Sequence, residues 1–186
     1  QEGFLWIGTT NGLNKYDGTN FQVFDITEDG KTGLLDGYIQ KLYDDEEGNI
    51  YVGTNKGLNI YDRSLNVIKP YPFKGVDQAT QKKYFGAIWK DPMYLWLGSY
   101  NDGIYRYNPN NGEVSNLEFQ KADDNADDNY IVEIFPVGEN LLIVTQLSIY
   151  VINKEMEIIS QTEIPLNNSC AHRSEVANQF WIGSHN

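Results

Sequence analysis

One pattern recurs through this chain at intervals of about 45 residues. Its clearest copies are residues 5–17, LWIGTTNGLNKYD, and residues 50–62, IYVGTNKGLNIYD. Later copies vary: 95–108 (LWLGSYNDGIYRYN), 141–153 (LLIVTQLSIYVIN) and 180–184 (FWIGS). The equivalent anchor positions are 45, 45, 46 and 39 residues apart: Gly8, Gly53, Gly98, Val144 and Gly183. A fixed period of this length indicates an architecture of repeated supersecondary units.

Each full copy divides into four short strands. In the second unit the strands predicted between turn signals are Ile39–Asp44, Asn49–Thr54, Gly57–Asp62 and Asn66–Tyr71. No stretch of ten or more residues has the apolar spacing of a helix. An aromatic fraction of 13% and 17 glycines are typical of strands and turns.

Four antiparallel strands in about 45 residues is the composition of a β-propeller blade. We therefore predict an all-β fold, a β-propeller fragment of about four blades. Aromatic residues should wedge between blades at the equivalent positions Trp6, Tyr51, Trp96 and Trp181. A glycine two residues later should admit a neighbouring strand, at Gly8, Gly53, Gly98 and Gly183. A further glycine suits a turn with positive φ, at Gly12, Gly57 and Gly103.

The repeat also predicts how the chain is divided. The expected units are residues 1–37 (incomplete), 38–83, 84–129, 130–167 and 168–186 (incomplete). The first unit lacks a first strand, and the last stops within a turn. We therefore expect a fragment cut within a repeat at both ends, partnered by the remaining blades of a parent propeller or by a second copy in a homodimer.

Charge and motifs exclude several function classes. Fourteen basic and 26 acidic residues give a formal net charge of −12, which argues against nucleic acid and anionic membranes as partners. The longest apolar run, residues 93–97, is too short to span a membrane. Cys170 is the single cysteine, so no internal disulfide or multi-cysteine zinc site is possible. Phosphate-binding glycine motifs are absent, and no cofactor is expected.

The aspartates that recur in the repeat have two interpretations, a catalytic one and a structural one. Asp45 and Asp91, with Asp17 and Asp62 after the third strands, could pair for acid–base chemistry. Their recurrence at the repeat spacing favours turn capping instead. The run from Asp123 to Asn129 lacks the ligand spacing of a calcium loop, so a solvated loop is the favoured interpretation.

The segment Cys170-Ala171-His172-Arg173 is polar and basic where an apolar first strand is expected. His172 and Arg173, near a propeller channel, are candidates for binding an acidic or hydroxyl-rich ligand. Cys170 and His172 also suggest a nucleophile pair or metal ligands, but no third partner is evident. The alternative is a degenerate blade with no ligand role.

Tyrosines supply the other candidate ligand contacts, because sugar rings lie well on aromatic faces. Tyr38, Tyr84 and Tyr130 recur 46 residues apart, just before a first strand, at a blade rim. Packing explains that recurrence equally well. The enlarged turn Tyr100-Asn101-Asp102 is a second candidate, since loops at rims often carry function.

Residues 33–58, GLLDGYIQKLYDDEEGNIYVGTNKGL, resemble the two-component regulator propeller repeat. Residues 5–17 match the second half of that repeat, and residues 85–99 match it with small insertions. The unit from Tyr130 departs, with Pro136 at the acidic position and both glycines missing; the stretch 170–178 departs again, with Glu175 near the acidic position. The repeat carries no catalytic residue.

The resemblance implies a periplasmic sensor region within a longer hybrid two-component protein. In that family such repeats belong to inner-membrane proteins with a membrane helix, a histidine kinase and a receiver, and oligosaccharides are the usual ligands. We therefore expect a non-catalytic ligand-sensing module without direct membrane contact. Two alternatives stay open: a propeller-based lyase or hydrolase using His172, Arg173 and Glu175, and a protein-interaction scaffold.

Overall fold

The computed structural model describes residues 3–27, 31–45, 47–120, 128–164, 167–174 and 179–185. Within them the chain forms five antiparallel sheets, whose strands are neighbours in chain order. The one helix among these residues is α1 (Gln78–Gln81), a single turn. The all-β prediction is confirmed.

The five sheets follow one another along the chain. The first contains β1 (Leu5–Thr9), β2 (Gly12–Tyr16) and β3 (Phe21–Phe24). The second contains β4 (Ile39–Asp44), β5 (Ile50–Thr54), β6 (Gly57–Asp62) and β7 (Val67–Pro70). The third contains β8 (Phe85–Lys90), β9 (Leu95–Ser99), β10 (Ile104–Tyr107) and β11 (Val114–Leu117). The fourth contains β12 (Ile131–Val137), β13 (Asn140–Thr145), β14 (Ser148–Ile152) and β15 (Ile158–Glu163). The fifth contains β16 (Asn167–Arg173) and β17 (Phe180–His185).

Successive sheets pack face to face, as blades do. The first strand of each sheet contacts the first strand of the next: β4 contacts β8, β8 contacts β12, and β12 contacts β16. In the first sheet β1 takes the place beside β4. This arrangement of first strands is that of blades around a propeller axis.

Three apolar layers fill the spaces between sheets. The first layer joins the first and second sheets through Leu13, Phe24, Val52, Tyr61 and Ile68. The second joins the second and third sheets through Tyr51, Leu58, Phe85, Leu97 and Tyr107. The third joins the third and fourth sheets through Trp96, Ile104, Ile131, Leu141 and Tyr150. Small sheets become stable here because each buries its faces against its neighbours.

The predicted aromatic wedges occupy equivalent places in three of the four cases. Trp6, Tyr51 and Trp96 each pack in the layer between their own sheet and the next. Trp96 is fully buried. Trp181 differs, because its side chain is 66% exposed and no described sheet covers it. The wedge role of Trp181 therefore stays a prediction, because no described sheet follows its own.

Glycine in the second strand is needed for close approach of the next sheet. A Cβ at Gly53 would lie 2.1 Å from the carbonyl oxygen of Phe85, the first residue of β8. Gly8 and Gly98 face Ile39 and Ile131 in the same way. Gly183 differs, since its near neighbour is Cys170 on the paired strand of its own sheet.

The turn between the second and third strands repeats one construction. Gly57 has φ of 129°, a conformation that other residues rarely adopt, and Gly12 and Gly103 also have positive φ. The hydroxyl of Thr54 donates to the carbonyl oxygen of Gly57 at 2.9 Å. Equivalent hydroxyls close two other turns: Thr9 and Ser99.

The recurring aspartates cap turns, as the sequence predicts. Asp45 accepts from the backbone N–H of Asn49, and Asp91 accepts from those of Met93 and Tyr94. Asp17 and Asp62 do the same in the turns after the third strands. Asp91 also accepts from Lys154 of the next sheet at 3.0 Å, so one capping residue also ties two blades together.

Each first strand carries an irregularity that the sequence did not predict. Pairing shifts by one residue between Ile39 and Lys41, and again between Phe85 and Ala87. The same shift recurs in β12 and β16. A bulge at this position reorients the chain at the start of the strand. Tyr84 and Tyr130 directly precede the strands β8 and β12, so their positions depend on these bulges.

Candidate functional site

Three of the predicted tyrosines meet at one edge of the third and fourth sheets. Tyr84 directly precedes β8, Tyr130 directly precedes β12, and Tyr100 directly follows β9. The ring centroids are 5.6 Å apart for Tyr84 and Tyr100, 6.4 Å for Tyr84 and Tyr130, and 4.9 Å for Tyr100 and Tyr130. We call Tyr84, Tyr100 and Tyr130 the tyrosine rim. Tyr100 is 51% exposed and presents the open ring of the three.

Tyr84 is held in place by the bulge of its own strand. A Cβ at Gly86 would lie 2.6 Å from the Tyr84 ring, so the ring lies where a side chain at position 86 would project. The Tyr84 hydroxyl donates to Gln40 at 3.1 Å, and the Gln40 amide donates to Asn55 at 2.7 Å. Burial raises the pKa of Tyr84 far above its ordinary value. Tyr84 is therefore a neutral, fixed hydroxyl that links the second and third sheets.

The turn that carries Tyr100 is also fixed. The Asp102 carboxylate pairs with Lys83 at 2.6 Å, and its backbone N–H donates to the Ser99 hydroxyl at 2.8 Å. The Asn116 amide donates to the Asp102 carbonyl at 2.7 Å. The bond with Asp102 raises the pKa of Lys83. Tyr100 is thus an exposed ring on a well-braced loop.

Three cavities adjoin the tyrosine rim. One of about 490 Å³ is lined by Asn55, Ala79, Lys82, Lys83, Tyr84, Tyr100, Asn101 and Asp102. A second of about 200 Å³ is lined by Tyr100, Asn101, Asp128, Asn129, Tyr130 and Gln146. A third of about 220 Å³ lies between the first strands, with Tyr84, Tyr130, Cys170 and Ala171 among its walls. Tyr100 and Asn101 form a shared wall between the first two.

Asp128 anchors the edge of the 200 Å³ cavity. Its carboxylate accepts from Thr145 at 2.6 Å, Tyr150 at 3.2 Å and the backbone N–H of Leu147 at 3.1 Å. Asp128 is 2% exposed, and Asn129 is also buried. The prediction of a solvated loop is therefore wrong for these two residues, because their polar groups are bonded inside the fold. Residues 121–127 of that loop lie outside the described residues.

An ion pair spans the start of three first strands. Lys41 on β4 pairs with Glu133 on β12, and Ala87 occupies the equivalent position on the intervening β8. Both charged residues line the 220 Å³ cavity. The sequence did not predict this pair, because its members are 92 positions apart and differ in type from the residue between them.

His172 and Arg173 lie away from the tyrosine rim. Both are exposed on β16, paired with Trp181 and Phe180. Asn167 is the residue of β16 whose position is equivalent to that of Tyr130. His172 lies about 17 Å farther along the strand, and Arg173 lies beyond it. The strand prediction for this segment is confirmed, but the structure does not bring these side chains to the tyrosines. Glu175 lies outside the described residues.

The remaining predicted contact, Tyr38, lies near enough to Tyr84 to add, after burial, to the rise in the pKa of Tyr84. The Tyr38 side chain is 44% exposed, and no ring contact joins it to the rim among the described residues.

A separate cavity of about 660 Å³ lies between the first and second sheets, where Lys15 donates to the Tyr61 hydroxyl at 3.0 Å. Among the described side chains no group of three metal-ligating residues occurs.

One segment of the second sheet matches a known family of propeller repeats. A family described as two component regulator propeller matches residues 33–56, which contain β4 and β5. The resemblance drawn from residues 33–58 is thereby confirmed for the matched segment. A search of curated protein sequences finds no match.

Solved structures agree with the fold. The extracellular domain of the putative hybrid two component system BT4673 from B. thetaiotaomicron is similar, with a TM-score of 0.74 and 21% identity over 99% of this chain and 25% of that chain. The extracellular domain of the putative hybrid two component system BT3049 from the same organism has a TM-score of 0.60 and 15% identity, over 98% of this chain and 31% of that chain. BBS1N in complex with ARL6DN has a TM-score of 0.63 and 13% identity, over 97% of this chain and 58% of that chain. This chain therefore spans about a quarter of the BT4673 domain, and the likeness shows a propeller fold.

No helix in the described part of the chain is both long and apolar enough to cross a membrane.

Proposed function

We propose that this chain is part of an extracytoplasmic, periplasmic sensor region of a hybrid two-component system, and that it binds an oligosaccharide at the tyrosine rim. The observation that carries the proposal is the meeting of Tyr84, Tyr100 and Tyr130 beside cavities of about 490 and 200 Å³. The match at residues 33–56 and the two-component neighbours support the sensory role.

The rim has the physical properties of a sugar platform. An exposed ring offers an apolar face to the C–H groups of a pyranose, and fixed amides nearby can bond its hydroxyls. Tyr100 supplies the face, while Asn101 and Gln146 border it. Because the Tyr100 turn is braced by the Lys83–Asp102 pair, little ordering is needed when a ligand binds.

The proposed mechanism is a change in the equilibrium between two arrangements of paired sensor regions. The rim joins residues of two neighbouring blades, Tyr84 and Tyr100 on one side and Tyr130 on the other. A ligand that spans both favours one packing of the blades, and this preference would reach a kinase beyond this chain. In this proposal the chain itself catalyses no reaction.

Calorimetric titration with a panel of neutral and acidic oligosaccharides tests the proposal. We expect one class of glycan to bind, and Tyr100→Ala to weaken that binding at least tenfold. Phe21→Ala is the matched control, because Phe21 is a similarly exposed aromatic (61%) on the first sheet. Equal loss in both variants, or cleavage of the glycan by the purified chain, would contradict the proposal.

A further inference from the structure

The 490 Å³ cavity is lined by more positive than negative side chains. It is lined by two lysines and one carboxylate, and that carboxylate, Asp102, is already paired with Lys83. Lys82 is exposed and makes no ion pair with any described residue. The surplus positive charge of this cavity is opposite in sign to the net charge of −12 that the chain carries as a whole.

Hydrogen-bonding groups in the cavity follow the same trend. The side-chain oxygen of Asn55, a residue of the cavity lining, accepts from Gln40, and the Asn55 amide nitrogen is a further donor of that side chain. The ammonium of Lys82 is a donor as well. Asn101 and the Tyr100 hydroxyl can both donate and accept, but the charged group of this cavity that makes no ion pair with a described residue is the Lys82 ammonium, which suits an anionic ligand.

From this cavity we infer that the ligand at the tyrosine rim is an acidic oligosaccharide, whose carboxylate or sulfate lies at Lys82 while a sugar ring stacks on Tyr100. The inference rests on the proposed sugar-binding role of the rim. An anionic group gains a charge-assisted bond from Lys82, and the Asn55 amide can bond a second oxygen.

The second cavity fixes the direction of the ligand. Tyr100 and Asn101 border both cavities, so a chain of two or more sugars can pass from one to the other across Tyr100. The buried Asp128 carboxylate borders the 200 Å³ cavity and disfavours an anion there. The acidic sugar therefore occupies the Lys82 side, and a neutral sugar occupies the side of Asn129 and Gln146.

The test compares matched disaccharides by calorimetry. The probes are disaccharides of galacturonic, glucuronic and mannuronic acid, their neutral counterparts with the same linkages, and one sulfated neutral disaccharide. We expect at least one acidic probe to bind at least tenfold more tightly than its neutral counterpart at low salt. A sulfated probe that binds as well identifies the recognised feature as charge, whereas binding of uronates alone identifies a carboxylate.

Lys82→Gln is the decisive variant. It should remove the preference for the acidic probe, so that the acidic and neutral probes bind with the same affinity. Lys74→Gln is the matched control, because Lys74 is an exposed lysine that does not line the cavity. It should keep the full preference.

The outcomes separate the inference from the proposed function. If neutral disaccharides bind at the rim as tightly as acidic ones, or if Lys82→Gln keeps the preference, the acidic assignment is overturned and the sugar-binding rim stands. If an acidic probe binds but Tyr100→Ala does not weaken it, the rim itself is wrong. If no probe binds, both are overturned.

Discussion

The carbonyl oxygen of Phe85 lies against Gly53, with no space for a side chain between them: a Cβ at Gly53 would be 2.1 Å from that oxygen. Phe85 begins the third sheet and Gly53 lies in the second strand of the second. The contact sets how closely two blades approach. It also explains why glycine recurs at this place in the repeat.

Gly53→Ala should therefore destabilise the chain. The new methyl group would meet backbone, which cannot rotate away, so the blades must separate. We expect the free energy of unfolding in urea to fall by about 2 kcal/mol or more. Gly37→Ala is the control, because a Cβ there would meet its nearest atom at 3.7 Å. A neutral effect of Gly53→Ala would show that the blades are not packed as described.

The Lys41–Glu133 ion pair gives a second prediction. Both side chains are mostly buried, 25% and 12% exposed, so removing one partner leaves the other charge poorly solvated. Lys41→Met alone should lower the free energy of unfolding by about 2 to 3 kcal/mol. The double variant Lys41→Met/Glu133→Leu should recover most of the loss. Additive losses in a double-mutant cycle would mean that the two side chains do not interact.

Asp128 should be a strong determinant of stability. Three donors from the fourth sheet converge on its buried carboxylate. Asp128→Ala leaves the Leu147 N–H unpaired, whereas the Thr145 and Tyr150 hydroxyls keep the carbonyl oxygens of Ser148 and Gln120 as acceptors. We therefore expect a loss of about 2 kcal/mol in the free energy of unfolding. Asp128→Asn keeps one acceptor oxygen and should cost less. Chemical denaturation distinguishes the two, and equal, small effects would contradict the bonding described.

Stability should depend on pH through the turn-capping aspartates. Burial acts to raise the pKa of Asp45 and Asp91, but hydrogen bonds from Asn49 and Lys154 outweigh it, and both pKa values lie below the ordinary range. Because the folded pKa is depressed, the contribution is present above about pH 4 and is lost as the pH falls through the folded pKa. Urea titrations from pH 6 to pH 3 measure this slope. The double variant Asp45→Asn/Asp91→Asn should show a shallower slope, and an unchanged slope would contradict the assignment.

The absence of a side chain at Gly86 leaves the space that the Tyr84 ring of the proposed ligand site occupies. A Cβ there would lie 2.6 Å from the Tyr84 ring, so Gly86→Ala should displace that ring and spread the tyrosine rim. We expect oligosaccharide affinity to fall about tenfold, since one ring of the platform is misplaced. The displaced ring relieves the crowding, so stability should change less than it does in Gly53→Ala. Unchanged affinity would show that Tyr84 is not part of the site.

The repeat made most of the fold predictable. Strands of the second unit were expected within one or two residues of where they lie, and the roles of Gly53, Gly57 and Asp45 followed from their recurrence. These features depend on contacts between neighbouring strands or equivalent repeats. Trp181 differs, because the repeat gives its position in the strand while its packing depends on what lies beside its sheet.

The site was only partly predictable, because it depends on differences between repeats. Tyr84 and Tyr130 recur in the pattern, but their meeting with Tyr100 depends on an enlarged turn in one unit. The burial of Asp128 is not visible in a run of acidic residues. His172 is an unusual residue for a first strand, yet its register in β16 takes it away from the rim.

Mapping the bound oligosaccharide onto the chain by amide chemical-shift changes tests the central claim most directly. With an acidic disaccharide added to ¹⁵N-labelled protein, we expect the largest changes at Lys82, Tyr84, Tyr100, Asn101 and Tyr130, with none around His172. Changes centred on His172 and Arg173, or on the cavity beside Lys15, would place the ligand elsewhere and contradict the account.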